Sequence, residues 1–141
     1  GDRILIDKDK MPGAKFFPDA KLNYAENMLK NRSQDTAIIF RDEQGKETEF
    51  TFSAIYEQVS LCRQVLVDAG VGKGDRVAGY LPNMPETIIA ALAPSSLGAI
   101  WASASPDFGA QGLIDRFSQI EPKVLFCVNA YYYNGKTQHL G

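Results

Sequence analysis

Residues 74–128 read GDRVAGYLPNMPETIIAALAPSSLGAIWASASPDFGAQGLIDRFSQIEPKVLFCV. Three short apolar runs, at 76–81, 99–104 and 123–128, alternate with two segments of helical period. Strand, helix, strand, helix, strand in that order predicts parallel strands joined by crossovers, with helices covering the sheet. In the first crossover, Ile88, Ile89, Leu92 and Leu97 supply the side expected to be buried, each worth roughly 1.5–3 kcal/mol on burial. Asn83 with Glu86 three residues on resembles a capping box, and Pro85 suits a first helical turn. Pro94 lacks an N–H for the carbonyl of Ala90, which predicts a kink or an early end there. In the second crossover, Leu113, Ile114, Phe117 and Ile120 form one stripe, ended by Glu121-Pro122.

Working outward towards the N-terminus, the stretch 36–40 reads as a strand and 48–52 alternates polar with apolar, so the two form a hairpin around a loop at 42–46. Thr51 or Ser53 caps the next helix. Its apolar positions, Ile55, Val59, Cys62, Leu66 and Ala69, recur every three to four residues. Gly70 is its natural stop, because glycine accepts a left-handed conformation without a Cβ clash. Further back, Asn23 can cap a short helix over 24–30, with Leu22 as the apolar residue before the cap. Residues 1–20 look irregular, with a turn at Met11-Pro12-Gly13. The fold class expected is therefore α/β: a Rossmann-like parallel βαβαβ unit preceded by a helix and a β-hairpin. Residues 1–34 form a lead-in segment, and residues 35–141 an α/β subdomain.

Composition narrows the function classes. The chain has 141 residues, 45% of them hydrophobic, with 15 basic and 17 acidic side chains and a net charge of −2. Such a chain can bury a core. No basic block supports nucleic-acid binding, and no apolar run approaches the roughly 20 residues of a membrane span. No cationic lead followed by an apolar run marks a secretory leader at the N-terminus. Cys62 and Cys127 form neither a CxxC pair nor a disulfide framework, which fits a reducing cytoplasmic setting and two core-packing cysteines.

Chemistry-bearing patterns are few. The glycines of Gly70-Val71-Gly72-Lys73-Gly74 follow a helix and precede a strand, the reverse of a phosphate-cradling loop. Gly135-Lys136-Thr137 follows a predicted strand, with Ala130 where a P-loop has its first glycine. Three rings between them, Tyr131, Tyr132 and Tyr133, poorly suit a tight nest of N–H groups. The single histidine, His139, has no anchoring partners for a Ser–His–Asp site. Scattered carboxylates and two distant cysteines make no metal-ligand spacing. The loop holding Ser105, Pro106, Asp107, Phe108 and Gly109 stands out by position, since it leaves the carboxyl end of a strand, where open parallel sheets place ligands.

Four stretches carry a resemblance: LNYAENML at 22–29, GDRVAGYLPNMPETIIAAL at 74–92, LGAIWASASPDFG at 97–109 and IEPKVLFCVNAYYYNGK at 120–136. They resemble the acetoacetyl-CoA synthetase family, within the adenylate-forming acid–CoA ligases and near acetyl-CoA synthetase. The SPDFG loop followed by YYNGK is fairly specific for the acetoacetate branch. The resemblance implies a two-step reaction. Acetoacetate attacks the α-phosphate of ATP with Mg²⁺, giving an acyl-adenylate and diphosphate. The thiol of coenzyme A then displaces AMP.

That family's phosphate loop, adenine and acyl pockets and catalytic lysine have no counterpart in these residues, so the resemblance implies an early segment of a longer ligase, inactive alone. It implies one site. In acetyl-CoA synthetase relatives a glycine–arginine segment after the matching strand contacts the 3′-phosphate end of coenzyme A. Tyr133, Asn134, Gly135 and Lys136 fall there, with lysine's point charge in place of arginine's fork. Ser105, Asp107 and Phe108 fall where relatives bring a glycine-containing loop near the same cofactor. Asp19 replaces an expected glycine in FFPDAKLN and reads as structural. Two alternatives stand beside this reading, a P-loop-type nucleotide module on Gly135-Lys136-Thr137 and a non-catalytic structural or interaction domain. A sheet of three strands exposes an edge, so self-association is also expected.

Overall fold

A computed structural model describes residues 2–139. Gly1, where the leader reading begins, lies outside the described residues, as do Leu140 and Gly141. Two residues each from β1 (Leu5–Ile6) and β2 (Lys15–Phe16) pair antiparallel. Nearby, Asp19 forms an ion pair with Arg3, and that hydrogen bond holds its carboxyl below the usual range. Helix α1 (Tyr24–Met28) starts as the sequence predicts: the Asn23 side chain accepts from the Glu26 N–H. The Asn23 amide also donates to the Ser95 carbonyl at 3.0 Å. Leu22 forms no apolar clamp before this cap, for it is 90% exposed.

The hairpin follows as β3 (Thr36–Arg41) and β4 (Glu47–Thr51), antiparallel with a register shift between Thr36 and Ile38. Thr51 then caps α2 (Phe52–Asp68), its hydroxyl accepting from the Ala54 N–H at 3.1 Å. Gly70, at φ +77°, takes the left-handed conformation past the helix end.

The decisive stretch forms β5 (Arg76–Tyr80), α3 (Pro85–Ser96), β6 (Ile100–Ala104), a 3₁₀ turn (Pro106–Phe108), α4 (Gly109–Phe117) and β7 (Val124–Cys127). The three strands make a parallel sheet in the order β6-β5-β7. On one face Val77, Trp101, Val124 and Phe126 meet Ile55, Val59 and Leu66 of α2, Leu92 and Ala93 of α3, and Ala25 of α1. On the other, Ala78, Tyr80 and Ala104 meet Phe117, flanked by Leu113 and Ile120. Helices thus cover both faces of the central strand, which is why residues 77–80 are buried without alternation.

Several local expectations are corrected. Met84, not Asn83, precedes the first helical residue of α3, and no side chain caps it. Pro85 at the first position already removes one donor in need of a partner. Pro94 sits inside α3, buried, and the helix ends two residues later at Ser96. Ala90, Ala93 and Pro94 occupy the centre of its inner arc, which leaves Ile88 on the flank at 44% exposed. Ile114 is likewise off the arc of α4, at 59%. Ala69 is exposed, and of the two cysteines only Cys62 packs against the core; burial pushes its thiol upward. Cys127 lies on β7 with the opposite parity to Val124 and Phe126, and is exposed.

The largest correction comes after Val128. Residues there form β8 (Ala130–Tyr133) and β9 (Lys136–His139), an antiparallel hairpin. Gly135-Lys136-Thr137 is therefore a turn and a strand rather than a loop opening a helix, which removes the P-loop reading.

At the amino ends of β5 and β7, the Asp75 carboxylate accepts from Gly72 N–H at 2.8 Å and from Lys123 Nζ at 3.2 Å. Lys123 Nζ also donates to the Gly70 carbonyl at 2.6 Å. The Gly72 hydrogen bond first, then Lys123, holds the Asp75 carboxyl below its ordinary value. A carboxylate depressed in the folded state stabilises it above the unfolded value, near about 3.9, and loses that contribution as pH falls through the lower folded value. Thermal melts of Asp75→Asn should therefore lie below wild type at pH 7, with the gap closing as pH drops below about 4. A gap constant down to pH 2.5 would contradict this linkage.

Candidate functional site

Adjacent strands send the chain to opposite faces here. The connection after β5 leads to α3 on the face of Val77, and that after β6 leads to α4 on the face of Tyr80. Their carboxyl ends consequently part, as at the crevice of doubly wound sheets. A cleft of about 480 Å³ occupies this place. Pro82, Asn83 and Met84 line it from β5, Ser105 to Asp107 from β6, Ala130 to Tyr133 from β8, and Phe40 to Glu43 from the β3–β4 hairpin.

The loop at 105–109 is held in shape by its own side chains. Pro106 is buried, and the buried Tyr80 hydroxyl donates to its carbonyl at 2.8 Å. Ser105 Oγ donates to Asp107 Oδ2 at 2.8 Å and caps the 3₁₀ turn by accepting from the Asp107 N–H. Tyr131 Oη donates to Asp107 Oδ1 at 3.1 Å across the cleft. Partial burial, and after it the Asp107 carboxylate, push the Tyr131 phenol above its usual value. It stays protonated as a donor at neutral pH.

The second loop exit is the turn between β8 and β9. Asn134 at φ +52° and Gly135 at φ +72° are both left-handed, the geometry of a two-residue type I′ hairpin. Their N–H groups point at one carboxylate. Asn134 donates to Glu43 Oε1 at 3.2 Å and Gly135 to Glu43 Oε2 at 3.1 Å. Lys136 follows directly, exposed, with no ion-pair partner among the described residues.

Of the residues singled out from sequence, Ser105, Asp107 and Tyr133 line one cleft, and Asn134, Gly135 and Lys136 sit at its rim. Phe108 does not join them. Its ring is half-exposed beneath the Arg116 guanidinium, 4.3 Å from the ring centre. Sequence reasoning missed Glu43, Tyr80 and Tyr131. The Asn134-Gly135 dipeptide was a hairpin signal and could have led to Glu43 only through the fold, from 91 residues away.

The cleft lining carries four carboxylates, Asp42, Glu43, Glu86 and Asp107, against one guanidinium, Arg41. That balance disfavours an anion within the cleft. Among the described residues no three metal-ligating side chains converge on a metal site. No helix among them is long and apolar enough to cross a membrane.

Comparison with known proteins gives a consistent result. The profile of the AMP-binding enzyme family matches residues 25–140. The chain is 49% identical over 138 residues to an acetoacetyl-coenzyme A synthetase of Rhizobium meliloti (strain 1021), covering 98% of this chain and 21% of the relative. It is 47% identical over 123 residues to the acetoacetyl-CoA synthetase of Macaca fascicularis, covering 86% of this chain and 18% of that protein. The solved acetoacetyl-CoA synthetase from Streptomyces lividans superposes with a TM-score of 0.90 at 43% identity, over 98% of this chain and 22% of that one. The chain thus spans about a fifth of the length of these relatives.

Proposed function

The chain belongs to the family of AMP-binding enzymes, and from that premise we propose that it is the early part of an acetoacetate–CoA ligase. The parent joins acetoacetate to coenzyme A with ATP and Mg²⁺, through an acyl-adenylate, and releases AMP and diphosphate. The observation that carries this reading is the near-complete match of this chain to acetoacetyl-CoA synthetases in both sequence and backbone. Triphosphate, metal and acyl group would be held by the parent's remaining residues. The two free cysteines fit a cytoplasmic setting.

Coenzyme A is the one ligand this chain is proposed to touch. The aromatic wall at Tyr131, Tyr132 and Tyr133 suits the uncharged part of the cofactor. The turn at Asn134 and Gly135, with Lys136 next in sequence, suits its 3′-phosphate, because its two successive N–H groups take up an oxyanion, as their bonds to the Glu43 carboxylate illustrate. Ser105 and Asp107 face the same space, and Phe108 stands outside it.

The test is kinetic, in the full-length enzyme. Lys136→Ala is expected to raise the KM for coenzyme A about tenfold, the loss of one charge-assisted contact at about 1.4 kcal/mol. The KM for dephospho-coenzyme A should not move. Equal effects on both cofactors would reject the phosphate contact. The 141-residue chain itself should release no acetoacetate-dependent diphosphate.

A further inference from the structure

The Glu43 carboxylate already fills the anion receptor of the β8–β9 turn. We propose that it is a latch: it closes the mouth of the cleft by occupying the Asn134 and Gly135 N–H groups, and yields them to a phosphate monoester. This rests on the coenzyme A reading above and extends it to a residue outside the 105–109 loop and the 133–136 turn.

Three observations carry it. Both carboxylate oxygens are engaged, each by a different N–H of two successive left-handed residues, at 3.2 and 3.1 Å. Such paired turn amides form a concavity for an oxyanion, and a carboxylate and a phosphate present similar pairs of acceptor oxygens. Secondly, Glu43 stands on a tightly built loop. The neighbouring Asp42 accepts from Gln44 N–H at 3.0 Å and Lys46 N–H at 2.8 Å, and its backbone N–H donates to the Lys46 carbonyl. Arg41 pairs with Glu47 at 2.7 Å just below. Thirdly, Glu43 and Tyr133 line the same cleft from opposite hairpins, so this contact bridges its two walls. Glu43, Asn134 and Gly135 are all exposed residues, so the bond is easily exchanged. A phosphate bringing more charge, with Lys136 adjacent, outcompetes a carboxylate there.

A latch lowers apparent affinity by the fraction of open turns. If the latched form dominates by about ten to one, removing the carboxylate tightens phosphate-monoester binding about tenfold. The experiment uses full-length protein, wild type and Glu43→Gln and Glu43→Ala, titrated calorimetrically with adenosine 3′,5′-bisphosphate. Hydrogen–deuterium exchange is followed on the peptide spanning 131–137. Both variants should exchange faster in that peptide without ligand, and both should bind the bisphosphate several-fold tighter. Their affinity for adenosine 5′-monophosphate, which lacks the 3′-phosphate monoester that the turn is proposed to take, should not change. Bisphosphate binding of equal strength in wild type and variants overturns the latch and leaves the cofactor reading standing. Binding by none of the three overturns the latch together with that reading. Unchanged thermal midpoints identify both variants as folded.

Discussion

Phe117→Ala is expected to cost about 3–5 kcal/mol of unfolding free energy, measured by urea denaturation. Phe117 is 8% exposed and is the only large apolar side chain in its cluster that is buried outright apart from Tyr80. Its buried neighbours across the sheet are Ala78 and Ala104. Alanines cannot move in to fill the space left by a ring, so a cavity remains, and the cost lies above the transfer energy alone. The effect reaches the site. Phe117 closes α4, which begins at Gly109, directly after the loop that carries Ser105 and Asp107. Losing it also frees Tyr80, whose hydroxyl holds the Pro106 carbonyl. Faster amide exchange is therefore expected over 105–117 before it appears in α2. Leu61→Ala on the exposed side of α2, where Leu61 is 63% exposed, serves as the control and should stay within about 0.5 kcal/mol. A loss below about 1 kcal/mol for Phe117→Ala would mean that α4 is not fastened to the sheet by this ring.

The contrast between Phe117 and Ile114 shows how far helical period can be read. Both fit the i, i+3, i+4 stripe of the second crossover, yet only Phe117 is buried and Ile114 is 59% exposed. A stripe marks which arc is apolar; how wide an arc is covered depends on the partner, and the buried residues that α4 meets are Ala78, Tyr80 and Ala104. The same holds for Ile88. Strand order was beyond reach for a related reason: right-handed crossovers put α3 and α4 on opposite faces in the order β6-β5-β7 and on one face in the order β5-β6-β7, yet both orders use the same apolar runs in the same succession. The alternation itself, the hairpin, and the caps at Asn23 and Thr51 were legible, because each depends on residues within a few positions of one another. The two loop exits were legible as positions at the carboxyl ends of strands. Their supports were not. Tyr80 reads as one more core residue of a buried strand, and its bond to Pro106 spans 26 residues. Glu43 reads as loop charge until the fold brings the two hairpins together. The turn beyond β8 was open to correction from sequence alone, since Asn-Gly between two short runs favours a hairpin over a glycine loop with three tyrosines in it.

Gly79 is where packing, rather than backbone conformation, demands glycine. It lies in the middle of the central strand, between Ser103 of β6 and Phe126 of β7 in register. A Cβ placed there stands 2.6 Å from Trp101 Cζ2 and 3.3 Å from Leu81 Cδ1. The Trp101 and Phe126 rings, 6.3 Å apart and tilted by 48°, pack on the same face of the sheet as Gly79. Two effects oppose each other in Gly79→Ala. The added methyl restricts the unfolded chain and should stabilise a strand by about 0.5–1 kcal/mol. It also collides with a rigid ring, and overpacking of this kind costs about 1–3 kcal/mol. The collision should win, so Gly79→Ala is expected to be destabilising, and Gly79→Val more so. Trp101 is the single tryptophan, so its fluorescence reports the displacement directly: the emission should shift to longer wavelength in the folded variant as the indole turns towards water. The cause is isolated by repeating the substitution in a Trp101→Phe background, where the smaller ring leaves the colliding atoms out. Most of the penalty of Gly79→Ala should vanish there. An equal penalty with and without the indole would mean that the strand's backbone, and not the ring lying over it, requires glycine at this position.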